Sequence, residues 1–167
     1  MEILKASPSD LLEILYLLRV CILDMNEKGM KQWNSAHPDR FLLKQVLEEG
    51  NIYVLKDKGV CKGMLSVSNE VPEDYKELLN GNNESGTLFI KWLAVHPIWK
   101  DKGIAKLLVD FAEEHARGKA LNNIKLDALS SSEIAAEIVR SNSYTEVGKF
   151  HSAFQKVPFI CYQKDLK

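Results

Sequence analysis

One stretch of the sequence combines a strand, a glycine-containing turn and a helix in an order suited to binding an anion. An apolar strand over Thr87 to Val95 stops before Pro97, and Gly103 opens an amphipathic helix that continues to Arg117. The first amides of a helix have no acceptor within it, and the helix dipole adds about half a positive charge there. We therefore predict that a phosphate group binds where this helix begins.

The residue types in the turn fit this prediction. Gly103 has no Cβ, so its backbone can approach a phosphate closely, and Ala105 keeps a neighbouring position small. Three lysines add positive charge around the turn: Lys100, Lys102 and Lys106. The spacing is neither a Walker A loop, which ends in Gly-Lys-Ser/Thr, nor the dinucleotide fingerprint, whose first two glycines are missing.

Length and composition limit the classes of protein to which the chain can belong. The chain has 167 residues, 46% hydrophobic and 27% charged, which is ordinary for a single globular domain over residues 1–167. The formal net charge of −1 argues against a nucleic-acid-binding protein. Three widely separated cysteines form neither a zinc spacing nor a disulfide framework, so we expect no metal site and a reducing, cytoplasmic location. No apolar run approaches the ~20 residues of a membrane span, so we expect no membrane partner.

Hydrophobic periodicity and turn residues predict the elements around this segment. Strands are predicted at 3–6, 52–56, 62–67, 87–95, 124–129, 144–151 and 159–164. Helices are predicted after a cap at Ser9 or Asp10, at 38–50, at 103–117 and at 132–141, with a short helical turn at 75–79. Asp57-Lys58-Gly59 predicts a hairpin. Hairpins and strand–helix–strand crossovers together predict an α/β fold with a mixed, largely antiparallel twisted sheet of about six or seven strands and about four helices.

These residues resemble the acyl-CoA-binding motif of the GNAT superfamily of N-acyltransferases. The match rests on Leu93-Ala94-Val95-His96-Pro97 followed by Lys100-x-x-Gly103-Ile104-Ala105, although the family loop usually begins with Gln or Arg. A diverged form of the second family signature runs from Leu126 through Asn142-Ser143-Tyr144 to Val147-Gly148. Gly29-x-x-Gln32-Trp33 resembles a segment found in one subgroup of the family. The similarity spans essentially the whole chain in the order of its elements.

The resemblance implies that acetyl-CoA is the cofactor and that its acetyl group passes directly to a primary amine of an unidentified small molecule or peptide. The pyrophosphate would be held by the turn and the start of the helix: Lys100, Asp101, Lys102, Gly103, Ile104, Ala105 and Lys106. The backbone of Leu93, Ala94 and Val95 would pair with the pantetheine arm. The Leu93 amide would also stabilise the negative charge that develops on the thioester oxygen. Ser132 stands where the family often has Asn, and would offer its hydroxyl to the cofactor.

The resemblance leaves the general acid and base open. Val139 occupies the position of the usual general-acid Tyr, and valine has no proton to donate. Tyr144 is our candidate for the acid, with Tyr162 as an alternative. An alkyl ammonium has a pKa of about 10.4, so a base must remove a proton, and Glu70 is the candidate, with His151 as an alternative. A thiol of pKa about 8.5 leaves easily, so a missing general acid slows the reaction without abolishing it.

We predict that Trp33, Trp92 and Glu73 line the acceptor pocket, although core packing is the commoner fate of Trp and solvation that of a loop Glu. Two other functions stay open. A CoA-binding regulatory module with weakened catalysis is suggested by Val139, and it would bind acetyl-CoA without releasing thiol. A plain interaction domain would not bind CoA. Homodimers are common in the family, so a homodimer is a further expectation.

Overall fold

The computed structural model describes residues 1–31, 33, 38–81, 84–151 and 157–167. Within these residues seven strands and five α-helices follow in the order β1 (Glu2–Lys5), α1 (Leu11–Glu27), α2 (Arg40–Glu48), β2 (Ile52–Asp57), β3 (Val60–Ser68), α3 (Tyr75–Leu79), β4 (Thr87–Val95), α4 (Ile104–Gly118), β5 (Asn123–Leu129), α5 (Glu133–Asn142), β6 (Thr145–Phe150) and β7 (Phe159–Asp165). Short 3-10 turns, Pro8–Asp10 and Pro97–Trp99, precede α1 and follow β4. None of the helices in the described ranges is long and apolar enough to cross a membrane.

The strands form one sheet in the order β1-β2-β3-β4-β5-β7-β6. β4 and β5 are parallel, whereas β1 and β2, β2 and β3, β5 and β7, and β6 and β7 are antiparallel. This confirms the predicted α/β fold with a mixed, largely antiparallel sheet. The predicted helical turn at 75–79 is the short helix α3, which brings the helix count to five in the described residues.

The chain divides into two compact units, residues 1–66 with 92–108, and residues 67–91 with 109–167. Helix α1 belongs to the first unit and buries its apolar side chains at helical spacing, which explains why it folds as a helix on a core. The buried core of this unit draws on α1, α2, β2, β3 and the end of β4: Ala6, Ile14, Leu17, Leu18, Cys21, Leu43, Leu47, Ile52, Val54, Cys61, Met64 and Ala94. Our prediction of one domain over the whole chain stays a prediction.

In the first unit the cap of α2 and the β2–β3 turn follow the sequence signals, whereas the predicted side-chain cap at Asp10 does not. The Asp39 carboxylate accepts a hydrogen bond from the Leu42 amide at 2.8 Å and so caps α2. The β2–β3 hairpin turns at Lys58 and Gly59, whose φ angles are 51° and 78°, as a two-residue hairpin turn requires. Asp10 precedes α1, but its carboxylate accepts from Ser7 rather than from an amide of the helix it precedes.

The second unit has its own apolar cluster beneath α3. Its buried members are Tyr75, Leu79, Phe89 and Cys161, with Val71, Leu78 and Phe150 packed against them. The Tyr75 ring meets Phe89 and Phe150 edge to face, with centroids 5.6 and 5.7 Å apart. A buried polar network lies in the same unit, where Asn142 of α5 donates to Asp110 at 2.7 Å and Lys164 of β7 donates to Glu113 at 2.7 Å.

Candidate active site

Strand β4 changes its backbone conformation at Trp92. Its parallel ladder pairs Thr87–Ile90 with Asn123–Leu126 of β5, and two residues later Trp92 has a φ of 51°. A left-handed φ at a bulky residue inside a strand is an outlier that costs about 1–3 kcal/mol, and such outliers concentrate at functional sites. Leu93, Ala94 and Val95, which we predicted to bind the cofactor arm, follow directly after this strained residue.

Polar contacts fix the end of β4 in the first unit. The Cys21 thiol of α1 donates to the carbonyl of Val95 at 3.2 Å, and the His96 amide donates to the carbonyl of Lys62 at 2.9 Å. His96 also caps the following 3-10 turn, because its Nδ1 accepts from the Ile98 amide at 3.4 Å. These contacts give His96 a structural role, as expected from its place before a proline.

Gly63 of β3 allows a close approach to the same strand end. A Cβ added there would lie 2.9 Å from the Ala94 carbonyl oxygen and 3.0 Å from side-chain atoms of Ile104 and Leu108. Only a residue without a side chain fits this space. Gly63 therefore allows the end of β4 and the start of α4 to pack closely on β3.

The turn before α4 has two residues in the left-handed region. Asp101 has a φ of 59° and Gly103 a φ of 74°, and a Cβ at Gly103 would meet no atom within 4 Å. The Leu107 amide donates to the Gly103 carbonyl at 3.0 Å, so the amides before it have no acceptor within the helix. The side chains of Ile104 and Ala105 are buried, which anchors this end of α4. Successive amides in such a turn, with open space beside Gly103, fit a phosphate group.

The lysines of the turn differ in what they contact. The Lys100 ammonium pairs with the Asp24 carboxylate of α1. Burial would raise the pKa of Asp24, but hydrogen bonds and charge from Lys100 and Lys28 hold it below its ordinary value. The exposed Lys102 ammonium lies 4.6 Å from the centre of the Trp99 ring. Lys102 therefore offers its charge to an incoming anion more readily than Lys100, whose charge Asp24 already offsets.

Ser132, predicted to contact the cofactor, is the N-cap of α5 in the second unit. Its hydroxyl oxygen accepts from the Ala135 amide at 3.3 Å, and a hydroxyl that accepts one bond still has a proton to donate. Val139 lies on the same helix and is partly buried. Its side chain has no group that could act as an acid.

Tyr144, our candidate general acid, lies in the core of the second unit. The residue is only 3% exposed, and burial together with the nearby Glu113 carboxylate raises the pKa of its hydroxyl. The Lys164 ammonium stands 5.9 Å from the centre of its ring. This environment argues against Tyr144 as the general acid. The alternative, Tyr162, is partly buried. Burial raises the pKa of its hydroxyl, and the negative charge of Glu146 raises it further.

Glu70 and Glu73 lie after β3 and are both exposed. The Glu70 amide donates to the Ser68 hydroxyl at 3.0 Å, and its side chain is solvated. The Glu73 side chain is 84% exposed and pairs with Lys76 at 2.5 Å. Both glutamates are therefore solvated loop residues, and their surroundings do not support a catalytic or pocket role. His151, the alternative base, is also exposed.

The two predicted pocket tryptophans both lie in the first unit. Trp33 and Trp92 are partly buried and pack against the same apolar core. This is the core-packing role that is the commoner fate of a tryptophan. Gln32, the polar member of the subgroup segment, lies outside the described residues.

Sequence reasoning missed a polar pair in the second unit. The Tyr75 hydroxyl of α3 donates to Oδ1 of Asp127 on β5 at 2.7 Å. Burial raises the pKa of Asp127 to about 6, although the Tyr75 hydrogen bond and the charge of Lys91 act to lower it. Burial also raises the pKa of Tyr75 well above its ordinary value, so Tyr75 keeps its proton and is the donor. The only signal in the sequence was one carboxylate inside an apolar strand.

The fold is shared with solved acetyltransferases of low sequence identity. A GNAT-family acetyltransferase from Streptococcus agalactiae matches with a TM-score of 0.83, 19% identity, and coverage of 98% of this chain and 94% of that one. The yncA protein of Salmonella typhimurium, solved with its cofactor acetyl-CoA, gives a TM-score of 0.76, 17% identity, and coverage of 100% and 94%. A ribosomal-protein-alanine N-acetyltransferase from Brucella melitensis gives a TM-score of 0.76, 18% identity, and coverage of 99% of each chain.

Membership of a family is shown by the sequence itself. No curated protein matches the chain significantly. The family model described as the acetyltransferase (GNAT) family matches residues 17–139, which include the end of β4, the turn and all of α4. Because this match covers well over half of the chain, the protein belongs to the GNAT family of acetyltransferases.

Proposed function

We propose that this protein is an acetyl-CoA-dependent N-acetyltransferase that transfers the acetyl group directly to a primary amine of a small molecule or peptide. The observation that carries the proposal is the backbone between β4 and α4. Trp92 takes a left-handed conformation just before Leu93, and Gly103 takes one beside open space at the start of α4. Family membership supports an acetyltransferase, and these two features support a site for its cofactor.

The residues around Gly103 fit the diphosphate of CoA. In our proposal the amides that open α4 bind the phosphate oxygens, and Lys102 adds positive charge beside them. Lys100 holds the turn to α1 through Asp24, which keeps the amides in place. The yncA protein is described with acetyl-CoA as its cofactor, and its shared fold supports the same cofactor here. Acetyl-CoA, when bound, supplies an acetyl group activated as a thioester.

The backbone after Trp92 provides the remaining contacts in this proposal. The Leu93 amide donates a hydrogen bond to the acyl oxygen, where negative charge develops. Removal of one such donor typically slows an enzyme by ~10²–10³-fold. Ser132 can donate its hydroxyl proton to the cofactor while it caps α5. With Val139 in place of a tyrosine and Tyr144 buried, we expect the thiolate to leave without a dedicated general acid.

The proposal is tested by measuring thiol release from acetyl-CoA in the presence of amines. The panel contains small alkyl amines and a short peptide with an N-terminal alanine, because the Brucella protein is named for acetylation of an alanine. We expect amine-dependent release by the wild type and none by Gly103→Glu. Gly59→Glu is the matched control, since Gly59 also has a left-handed φ and open space around its Cβ position. Cofactor binding without thiol release from any amine would favour a regulatory module instead.

A further inference from the structure

Helix α1 is apolar on its outer face as well as on the face that packs on the core. Its inner face is buried in the first unit: Ile14, Leu17, Leu18 and Cys21. On the other side Leu12 is 75% exposed, Tyr16 61% and Leu23 52%. A surface helix normally carries charged and polar residues on its outer face, and a helix that is apolar on all sides is usually covered. The outer face of α1 therefore calls for a partner that covers it.

Four exposed residues form one stripe along α1, which we call the outer stripe: Leu12, Tyr16, Arg19 and Leu23. Their spacing of four, three and four residues keeps them within about 60° of one another around the helix axis. It is also the spacing of the a and d positions of a coiled coil, which pack against a second helix. The Tyr16 ring lies against His96, with centroids 6.2 Å apart, so an aromatic residue near the centre of the stripe is supported from behind.

The outer stripe is complementary to a second copy of itself in antiparallel orientation. With a two-fold axis beside the midpoint of positions 17 and 18, Leu12 of each copy faces Leu23 of the other, and Tyr16 faces Arg19. The guanidinium then lies on an aromatic ring, which is a favourable cation–π contact. A parallel pair would instead place Arg19 against Arg19, and like charges in contact are unfavourable. The pattern of charge and apolar residues thus favours an antiparallel, isologous contact.

We propose that the outer stripe of α1 is an interface between two copies of this chain, in which the two α1 helices pack antiparallel about a two-fold axis. The inference goes beyond the proposed function and does not depend on it. A helix of 17 residues is about 26 Å long, so its contact is smaller than the roughly 800 Å² that each partner buries in a standard interface. We therefore expect a dimer whose dissociation constant is roughly 1–100 µM.

The charges of α1 fit a second copy better than a membrane surface. Helices that lie on membranes carry several Lys or Arg residues beside their apolar face. Helix α1 has one cationic residue, Arg19, and three acidic residues: Glu13, Asp24 and Glu27. An anionic lipid surface would repel the acidic residues, whereas the antiparallel pair gives the one cation an aromatic partner.

The test is sedimentation equilibrium of the full chain from about 5 to about 500 µM, a range that spans the expected dissociation constant. We expect the wild type to shift from monomer to dimer across this range. Leu12→Glu and Leu23→Lys should each raise the dissociation constant at least about 100-fold, because the symmetry places each new charge against a leucine twice. Val60→Glu is the matched control, since Val60 is also an exposed apolar residue of the first unit, and it should leave the dissociation constant unchanged.

A double variant tests the pairing itself. Leu12→Glu with Leu23→Lys places Glu against Lys at both ends of the antiparallel contact, so it should dimerise at least about tenfold more tightly than either single variant. The two positions are about 16 Å apart along the helix, so the new charges cannot pair within one chain. Circular dichroism should show unchanged helix content in all variants, because both positions are exposed and Glu and Lys form helices well.

Three results would overturn the inference. One is a wild type that stays monomeric at about 500 µM, and its co-sedimentation with anionic phospholipid vesicles would then assign the outer stripe to a lipid surface. Another is a dimer that both single variants leave intact, which would place the interface elsewhere on the chain. The third is a double variant no tighter than the single variants, which would exclude the contact of Leu12 with Leu23.

Discussion

The two units contribute chemistry of different kinds. In the first unit the features that matter belong to the backbone: left-handed residues at Trp92, Asp101 and Gly103, and amides at the start of α4. In the second unit they belong to side chains, the hydrogen-bonded pair of Tyr75 and Asp127. A backbone site tolerates changes in most of its side chains, so it suits a cofactor common to a family. A side-chain pair depends on two residue types, so a single substitution removes it.

The largest expected effect is on acetyl-CoA affinity, when Gly103 in the turn before α4 is replaced. Gly103→Glu places a negative charge where we propose that a diphosphate binds, and like charges in contact cost several kcal/mol. We therefore expect acetyl-CoA affinity to fall at least about 100-fold in calorimetric titration. Asp127→Asn should leave that affinity unchanged. Equal losses in the two variants would mean that the loss in Gly103→Glu does not come from the turn before α4.

The second expected effect is on the pH dependence of protein stability, and it comes from Asp127. The folded protein holds the Asp127 proton more tightly than the unfolded chain does, since its pKa is about 6 rather than about 3.9. The folded state therefore loses stability as the pH rises from about 4 to about 6. Asp127→Asn avoids this loss, so its free energy of unfolding relative to the wild type should be higher above pH 7 than near pH 4. Urea titrations should show this difference between the two pH values, and a constant difference between variant and wild type would contradict the assignment.

The third effect compares a glycine in each unit. Gly63→Ala places a Cβ 2.9 Å from the Ala94 carbonyl oxygen, which cannot move without shifting the end of β4. We expect a loss of about 1–3 kcal/mol in stability and weaker acetyl-CoA binding. Gly148→Ala places a Cβ 2.3 Å from the flexible end of Leu78, which can turn away. It should cost less and leave acetyl-CoA affinity unchanged, as urea melts and calorimetry can show.

The smallest effect concerns the surface charge beside the turn. Lys102→Gln should weaken acetyl-CoA binding only a few-fold, because exposed charges contribute about 0.2–1 kcal/mol. The loss should shrink as salt is added, since salt screens exposed charges. Lys58→Gln, on the exposed hairpin of the same unit, is the control and should have no effect. A loss that does not depend on salt would point to a packing role for Lys102 on Trp99.

The backbone region could be predicted from sequence because its signals are local. A strand stopped by Pro97, a glycine and an amphipathic helix lie next to one another, and α4 begins one residue from its predicted start. The conformation of Trp92 could not be predicted, because no residue type there signals a positive φ. The pairing of Lys100 with Asp24 joins residues 76 positions apart and depends on the packing of α1.

The hydrogen-bonded pair in the second unit could not be predicted from local sequence signals. The contact between Tyr75 and Asp127 spans 52 positions and needs both the docking of α3 and the register of β5. The sequence instead favours Tyr144 as the acid, because the burial of this residue next to Glu113 depends on tertiary packing. Contacts between side chains that are far apart in the sequence can be identified only when the strand order and register are known.

A thermal melt shows whether the turn between β4 and α4 binds acetyl-CoA, as we propose. At ligand about 100 times above its dissociation constant, binding adds about 2.7 kcal/mol, or a rise of roughly 5–11 °C for a chain of this size. We predict this rise with acetyl-CoA, but not with ATP or NAD, for the wild type and for Gly59→Glu. Gly103→Glu should show none. No rise in the wild type would mean that the protein does not bind acetyl-CoA, and an equal rise in Gly103→Glu would mean that the cofactor binds elsewhere.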